Sequence, residues 1–299
     1  MIVSPLPMRA GVCASRLCLP VGQWPDLLAF FCAYFPAVTP STWARRLQAG
    51  EVLDAAGAVL SAHSPYRAGK QIFYYRELFD ERAVPFFETV LYRDEHILIA
   101  DKPHFLAVAP SGRFLHETLL VRLRNRLSLE HLAPAHRIDR ATAGLLLFSL
   151  NPKTRALYPA LFRARHVQKI YEAIAPALPL VRFPYTHRSR LEEDAQFFRT
   201  REAVGAENSE TQIDVIEKQG DVWRYQLMPV TGRKHQLRVH MAALGAPIIN
   251  DDFYPHAQPL AEDDFERPLK LLAKSLAFID PVSGESRFFE SRQMLSWSI

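Results

Sequence analysis

The chain has 299 residues, 48% of them hydrophobic, which fits one large or two modest domains with a sizeable core. Its net charge of +4 is compatible with a polyanionic partner without requiring one. We expect no membrane span, no secretory signal, and free thiols at Cys13, Cys18 and Cys32, which together predict a cytoplasmic protein.

The N-terminal region predicts a small domain with two helices and a short sheet. Residues up to about Val21 contain prolines without a clear period and predict a loose arm or an edge strand. One helix is expected over residues 24–35. A second is expected over residues 40–50, with Ser41 as its N-cap and Gly50 after its end. Residues 51–54 and 71–75 are typical of short strands around turns at glycines.

Arg45 and Arg46 lie on the second predicted helix. Two helices followed by a small sheet resemble the S-four RNA-binding module, so both arginines are candidate RNA contacts. A solvated helix face is the alternative explanation. We place a domain boundary after residue 85, which gives an N-terminal arm and S-four-like module over residues 1–85 and a second domain over residues 86–299.

The second domain opens with a predicted strand over residues 97–100, which leads into Lys102 and Pro103. Lys102, near the end of this strand, is a candidate phosphate contact, although an ordinary exposed lysine fits equally. Residues 116–127 have helical spacing.

Asp139 lies between Arg137 and Arg140, just before a short apolar segment over residues 145–148 that predicts a buried strand. A carboxylate at that position loses hydration, so it needs a cationic or hydrogen-bonding partner to stay ionised. The two arginines are the local candidates, and both can also bind phosphate. From this segment alone, a structural ion pair is the favoured interpretation.

A helix is predicted to begin after Asn151, with Pro152 in its first turn. Residues 167–175 alternate as a strand does, which places Lys169 and Tyr171 on one face. If the isoleucines of this strand face the core, these two side chains point toward a cleft and could hold a nucleobase. Packing is the alternative role for the tyrosine. Residues 178–209 predict loops and a hairpin that form a rim of the cleft.

Residues 231–245 predict a turn at Gly232 followed by a helix that ends at Gly245. His235 and Arg238 lie near the start of this helix, where donors and the helix dipole favour a carboxylate or a phosphate. His235 and His240 have no carboxylate or cysteine at ligand spacing, so we predict no zinc site here.

Four segments together resemble the RluA-type RNA pseudouridine synthases. They are residues 94–103, the block around Asp139 over residues 136–148, the strand block over residues 169–173, and the block over residues 231–240. The segments occur in the order of the family and span roughly residues 88–280. The resemblance implies an α+β fold with a mixed, mainly antiparallel central sheet, flanking helices and a basic cleft.

The same resemblance implies isomerisation of uridine in ribosomal or transfer RNA to pseudouridine, through a flipped-out base and without metal or cofactor. Asp139 matches the essential nucleophile of the family, which attacks either the ribose or the ring. Arg238 matches its basic partner, and Tyr171 the tyrosine that stacks on uracil. Arg137 matches the residue that fills the space left by the flipped nucleotide, and Leu237 a residue lining the base pocket. Further expected substrate contacts are Lys169, Arg140, Lys102 and His235.

We expect a monomer with RNA as its partner. Ala143, Lys234, Asn250 and the pair His104-Phe105 depart from the usual family residues, which indicates a divergent branch. Two alternatives remain open. A non-catalytic RNA-binding protein could use the same fold. A hydrolytic N-glycosidase would need a second carboxylate to position water, for which Glu172 is the nearest candidate.

Overall fold

The computed structural model describes residues 4–77, 81–195, 198–258 and 262–297. The five helices of this described part are α1 Leu27–Tyr34, α2 Pro40–Gln48, α3 Leu119–Leu127, α4 Leu157–Arg163 and α5 Gln236–Ala243. Its strands are β1 Ser15–Cys18, β2 Val52–Asp54, β3 Gln71–Tyr74, β4 Thr89–Arg93, β5 Ile97–Lys102, β6 Ala133–Pro134, β7 Ala143–Ser149, β8 Gln168–Pro176, β9 Tyr185–Glu193, β10 Thr200–Ala203, β11 Ser209–Gln219, β12 Val222–Pro229, β13 Leu271–Ile279 and β14 Ser286–Glu290. None of these helices combines the length and the apolar character that crossing a bilayer requires.

The chain divides into two compact units. The first comprises residues Met1–Arg82, Pro110–His116 and Val121–Glu130, and the second comprises the rest. The first unit contains a three-stranded antiparallel sheet in the order β1-β3-β2, so β1 is an edge strand, as predicted. Helices α1 and α2 pack on it through aromatic side chains. The rings of Phe31 and Trp43 stack with centroids 4.1 Å apart.

Helix α2 begins two residues earlier than its predicted cap implied. The prediction that Ser41 is the N-cap was wrong, because Pro40 already occupies the first helical position and the Thr39 hydroxyl accepts the Thr42 N–H. Proline fits there because the N–H it lacks has no partner within the helix. Gly50 follows the helix with φ +70°, the left-handed conformation expected after a helix end.

The two arginines of α2 differ in their exposure. Arg46 is only 3% exposed, its Nη2 donates to Glu77 at 2.9 Å, and its guanidinium lies over the Trp43 ring. The structure therefore does not expose Arg46 for RNA as expected, because its charge is used inside the unit. Arg45 has an exposed side chain and lies 3.3 Å from Glu77. It remains a predicted contact.

The second unit is built on an eleven-stranded sheet. The main path runs β10-β9-β11-β12-β8-β13-β7-β5-β4, with β14 beside β13 and β6 beside β7. Within this sheet only β13 and β7 pair in parallel, so the prediction of a mixed, mainly antiparallel sheet is confirmed. The central strand β7 is buried along its whole length, as its apolar sequence predicted.

Gly144 allows the close approach of β7 and β13. The strand begins at Ala143, two residues before the predicted start, and Gly144 has φ +108°. A Cβ atom at this position would lie 2.2 Å from the carbonyl oxygen of Ala273 on β13. The glycine is therefore part of the central sheet rather than of the turn before it.

Two other predicted segments differ from the structure. The residues after Asn151 form turns, in which Asn151 Oδ1 accepts the Lys153 N–H, and α4 starts only at Leu157. The side-chain bond of Asn151 competes with helix formation there. Residues 178–209 contain the predicted hairpin, formed by β9 and β10, but β9 also pairs with β11 and extends the main sheet.

Candidate active site

A cavity of about 460 Å³ opens in the second unit. Its walls include the segment before β7, β8, the end of α4 with Arg165 two residues beyond it, the turn that leads into α5, and the first turn of α5. Asp139, Tyr171 and Arg238 all line it, although they lie on three sequence segments that are far apart. This volume falls in the range of small-molecule sites, about 300–1,000 Å³.

Asp139 contacts two basic side chains, one at each carboxylate oxygen. Arg238 Nη1 donates to Oδ2 at 3.3 Å, and His235 Nε2 lies 3.9 Å from Oδ1. Burial alone would raise the pKa of Asp139, but positive charge on His235 and on Arg238 outweighs burial and holds the pKa below its usual range. Burial lowers the pKa of His235 to about 4, so Arg238 supplies that charge at neutral pH. Asp139 is therefore an ionised carboxylate.

Arg238 is fixed by a second carboxylate that the sequence analysis did not identify. Its Nε and Nη2 donate to Asp251 at 2.7 and 2.6 Å, and the Asp251 side chain is fully buried. Burial would lower the pKa of Arg238, but Asp251 and then Asp139 outweigh it and raise the pKa above its usual value. The backbone N–H groups of Phe253 and Tyr254 also donate to Asp251. Arg238 thus presents its one remaining nitrogen to Asp139.

Tyr171 and Lys169 share the cavity face of β8, as the alternation of this strand predicted. Burial, with the nearby charge of Asp139, raises the pKa of Tyr171, so it is a neutral phenol at neutral pH. Lys169 Nζ lies 3.4 Å from the Thr231 carbonyl oxygen, and burial followed by the charge of Arg165 lowers the pKa of Lys169. A neutral aromatic ring and an amino group therefore line the same wall.

Three further predicted residues lie at the cavity. Leu237 is 7% exposed on the first turn of α5, and Arg137 is an exposed residue of the segment that carries Asp139. His235 is the N-cap of α5 and has φ +55°, a left-handed conformation that is uncommon for residues other than glycine. All three line the cavity with Asp139.

Two predicted substrate contacts are not in the cavity wall. Lys102 is fully buried, and its Nζ donates to the carbonyl oxygens of Pro103 and Arg140 at 2.9 and 3.0 Å. Arg140 forms a two-pronged ion pair with Asp263 and donates to the Phe105 carbonyl oxygen. The structure does not place these two side chains at the cavity as expected, because both hold the backbone around Asp139 instead.

The carboxylate proposed for a hydrolytic mechanism lies elsewhere. Glu172 forms an ion pair with Arg224 on the neighbouring strand β12, at 3.2 Å. Asp251 shares Arg238 with Asp139, but its side chain is fully buried and does not line the cavity. Among the residues that the structure describes, Asp139 is the one carboxylate that lines the cavity. The second carboxylate required to position an attacking water is not supplied there.

One group of side chains has the composition of a metal site. Ligand atoms of His187, Glu202 and His240 lie within 4.8 Å of one another. Sequence spacing could not predict this group, because β9, β10 and α5 each supply one member. The ring nitrogens of His240 lie 2.9 Å from the Thr211 hydroxyl and 3.0 Å from the Ser209 hydroxyl, and His187 Nε2 lies 2.7 Å from Glu202. These contacts explain the cluster as a hydrogen-bond network.

Three arginines that were not assigned to the site from the sequence also line the cavity. Arg163 on α4, Arg165 just after it and Arg233 in the turn before α5 line the cavity with Arg137. Guanidinium groups around such an opening suit the phosphates of a nucleic acid. The density of arginines along the chain is a signal that could have indicated them. That density does not show which side chains point toward the cavity.

Comparisons with known proteins agree with this geometry. Residues 96–243 match the family model described as RNA pseudouridylate synthase. A protein of Haemophilus ducreyi named "Dual-specificity RNA pseudouridine synthase RluA" is 34% identical over 69% of this chain and 93% of its own length. The protein of the same name from Escherichia coli K12 is 32% identical over 68% of this chain and 92% of its own.

Solved structures support the fold. The structure titled "Human RNA Pseudouridylate Synthase Domain Containing 1" superposes with a TM-score of 0.58 at 24% identity, over 72% of this chain and 86% of that one. At this identity the likeness concerns the fold alone. The sequence relatives, the matching family model and the Asp139–Arg238 pair in a cavity lead to one conclusion. The chain belongs to the family of RluA-type RNA pseudouridine synthases.

Proposed function

We propose that this protein isomerises uridine in RNA to pseudouridine, with Asp139 as the nucleophile. The observation that carries the proposal is the cavity in which the ionised Asp139 faces the fixed guanidinium of Arg238, with Tyr171 on the wall. The curated relatives named above are RNA pseudouridine synthases, which supports the same reaction here.

The chemistry needs one carboxylate that stays charged in a site with little water. Detaching uracil from ribose creates an oxocarbenium-like centre at the anomeric carbon, and a carboxylate can stabilise or trap such a centre. Arg238 keeps Asp139 ionised, while its pairing with Asp251 prevents it from moving closer. Tyr171 supplies an aromatic face on which the detached base can rest while it rotates.

The substrate class that we propose is ribosomal or transfer RNA. The words "dual-specificity" in the names of the relatives support action on more than one RNA. Arg137, Arg163, Arg165 and Arg233 line the opening of the cavity and can bind the phosphates on either side of a flipped nucleotide. We further propose that the protein acts as a cytoplasmic monomer without a metal or cofactor.

For the first unit we propose an accessory role in RNA binding, with Arg45 as its candidate contact. Its exposed side chain supports the proposal. Replacement of Arg45 by Gln should weaken RNA binding by less than about tenfold, because one phosphate contact contributes a limited part of the affinity. Unchanged binding over a range of salt concentrations would remove Arg45 from the interface.

Pseudouridine mapping of total RNA, with and without the gene, tests the function most broadly. We expect one or a few positions to lose pseudouridine in the strain without the gene and to regain it when the gene is restored. An unchanged map would reject the proposal and favour an RNA-binding protein without this activity. Release of free uracil from RNA by the purified protein would instead indicate an N-glycosidase.

A further inference from the structure

The orientation of the His235 ring follows from its hydrogen bonds. The Thr200 N–H donates to the Tyr254 hydroxyl oxygen at 2.8 Å, and His235 Nδ1 lies 2.9 Å from the same oxygen. A backbone N–H can only donate, and among the described residues His235 Nδ1 is the acceptor within hydrogen-bond distance of the Tyr254 hydroxyl, so we assign the hydroxyl proton to the bond with Nδ1. His235 Nδ1 then accepts, and the ring hydrogen is on Nε2.

The protonation states agree with this arrangement. Burial raises the pKa of Tyr254, so its phenol keeps its proton at neutral pH. Burial lowers the pKa of His235 to about 4, which leaves one hydrogen on its ring at neutral pH. Asp139, Arg238, Lys234 and Asp251 are the charged groups that act on this ring, and their signs are mixed.

The ring is also held in place. Phe253 stacks near it with ring centroids 5.7 Å apart, and the His235 side chain is only 8% exposed. The left-handed backbone at residue 235, with φ +55°, is strained for a residue other than glycine, and such strain occurs at functional positions. The strain is explained if the position of this ring matters to the reaction.

The hydrogen on Nε2 points to the side of Asp139 that Arg238 does not occupy. The separation of 3.9 Å between Nε2 and Asp139 Oδ1 is too long for a hydrogen bond. Arg238 already contacts the other oxygen, Oδ2. The Nε2–H group is therefore a donor at the cavity wall beside the nucleophile, and a substrate oxygen there could accept from it.

We propose that His235 is a catalytic hydrogen-bond donor, whose Nε2–H stabilises a carbonyl oxygen of the uracil while the base is detached from ribose. This inference rests on the proposed function. When the bond from carbon to nitrogen breaks, its electron pair stays on the base, and the ring carbonyl oxygens gain negative charge. His235 gives up no proton in this step, and Tyr254 fixes the tautomer that can donate.

The test compares two amide replacements of His235. The amide of Asn falls near Nδ1, whereas the amide of Gln reaches the position of Nε2 and can donate from there. We expect His235→Asn to lower the single-turnover rate of pseudouridine formation by about 100-fold, the usual loss when one such donor is removed. The single-turnover rate of His235→Gln should be at least tenfold higher than that of His235→Asn. RNA affinity should stay within about threefold of the wild type for both.

A matched control is His256→Asn, at an exposed residue on the same chain segment as Tyr254. It should keep the wild-type rate. Nitrogen NMR of the histidine rings in the unmodified protein gives a readout independent of activity, and we expect His235 to carry its hydrogen on Nε2. In Tyr254→Phe the other tautomer should become populated.

Three outcomes would overturn the inference: a wild-type rate in His235→Asn, a loss that appears only in RNA affinity, or a ring hydrogen on Nδ1 in the unmodified protein. Asp139→Asn separates this inference from the proposed function. If Asp139→Asn is inactive and His235→Asn is fully active, the function stands and the role of His235 falls. If Asp139→Asn is fully active, the nucleophile assignment fails first.

Discussion

Replacement of Asp251 by Asn should destabilise the second unit and slow the reaction together. The Asp251 side chain is fully buried and accepts four hydrogen bonds, two from Arg238 and one each from the backbone N–H groups of Phe253 and Tyr254. Three of the four reach Oδ1, which an asparagine carbonyl can reproduce. The fourth joins Arg238 Nε to Oδ2, where asparagine places a donor against a donor.

The expected cost follows from that geometry. Removing one partner of a buried ion pair costs about 3–5 kcal/mol, because the other charge is left without compensation. Arg238 keeps Asp139 as a partner at 3.3 Å, so we expect the lower part of this range. The freed guanidinium should also turn toward Asp139, which holds the carboxylate more tightly and lowers the rate of pseudouridine formation.

Urea denaturation measures the first effect and single-turnover assays measure the second. Asp252→Asn is the matched control, because Asp252 is exposed and adjacent to Asp251 in sequence. This control should change neither the free energy of unfolding nor the reaction rate. A loss of less than about 1 kcal/mol in the free energy of unfolding would show that the buried pair is not the constraint described here. An unchanged rate in a destabilised Asp251→Asn protein would separate Asp251 from the reaction.

The remaining predictions concern the fold and its charges. Gly144→Ala should cost about 3 kcal/mol of unfolding free energy, measured by urea denaturation, because its Cβ would overlap the Ala273 carbonyl; a cost below 1 kcal/mol contradicts this. Lys102→Met should leave the slope of log RNA affinity against log salt concentration unchanged, whereas Arg163→Ala should lower that slope by about 1. A slope lowered by about 1 in Lys102→Met as well would place Lys102 at the RNA. Burial lowers the pKa of His136 to about 3, below the 6.5 of an unburied histidine. The stability from its neutral form is therefore present above pH 6.5 and is lost as pH falls. The unfolding free energy should drop by roughly 2 kcal/mol more between pH 7 and pH 5 than in His136→Gln, and identical pH profiles would refute this.

The sequence predicted the structure best where the signal was local, such as an alternating strand pattern, a run of apolar residues or a glycine after a helix. The alternation of β8 placed Tyr171 and Lys169 on one face, and both line the cavity. The apolar residues after Asp139 predicted the buried strand β7, and Gly245 ended α5 as expected, with φ +85°. These features depend on residues close in sequence, so local patterns contain them.

Charged residues were harder to place, because exposure depends on what folds over them. Lys102 resembled a surface lysine at a strand end, yet its side chain is fully buried. The segment that carries Asp139 and Arg140 accepts one of its two hydrogen bonds, and the Pro103 carbonyl accepts the other. Arg46 is covered in a similar way, since its guanidinium pairs with Glu77, 31 residues away. The residues next to Lys102 and Arg46 in the sequence do not indicate that either side chain is buried.

The partner of Arg238 was missed for a related reason. Asp251 lies 13 residues after Arg238, beyond the end of α5, and reaches it only because the chain turns back after Gly245. Asn250 helps to make that turn, with φ +61° at a position where the family often has glycine. From the sequence, Asn250 was noted only as a departure from the usual family residues, and such a comparison does not give the direction of the neighbouring Asp251 side chain.

The most direct measurement is single-turnover pseudouridine formation by Asp139→Asn on an RNA that the unmodified protein modifies. Asparagine keeps the size of the side chain and removes the charge that faces Arg238. We predict that no pseudouridine forms, while the variant stays folded and binds the RNA with an affinity within about threefold of that of the wild-type protein. Pseudouridine formation at the unmodified rate would contradict the central claim that the ionised carboxylate of residue 139 performs the chemistry.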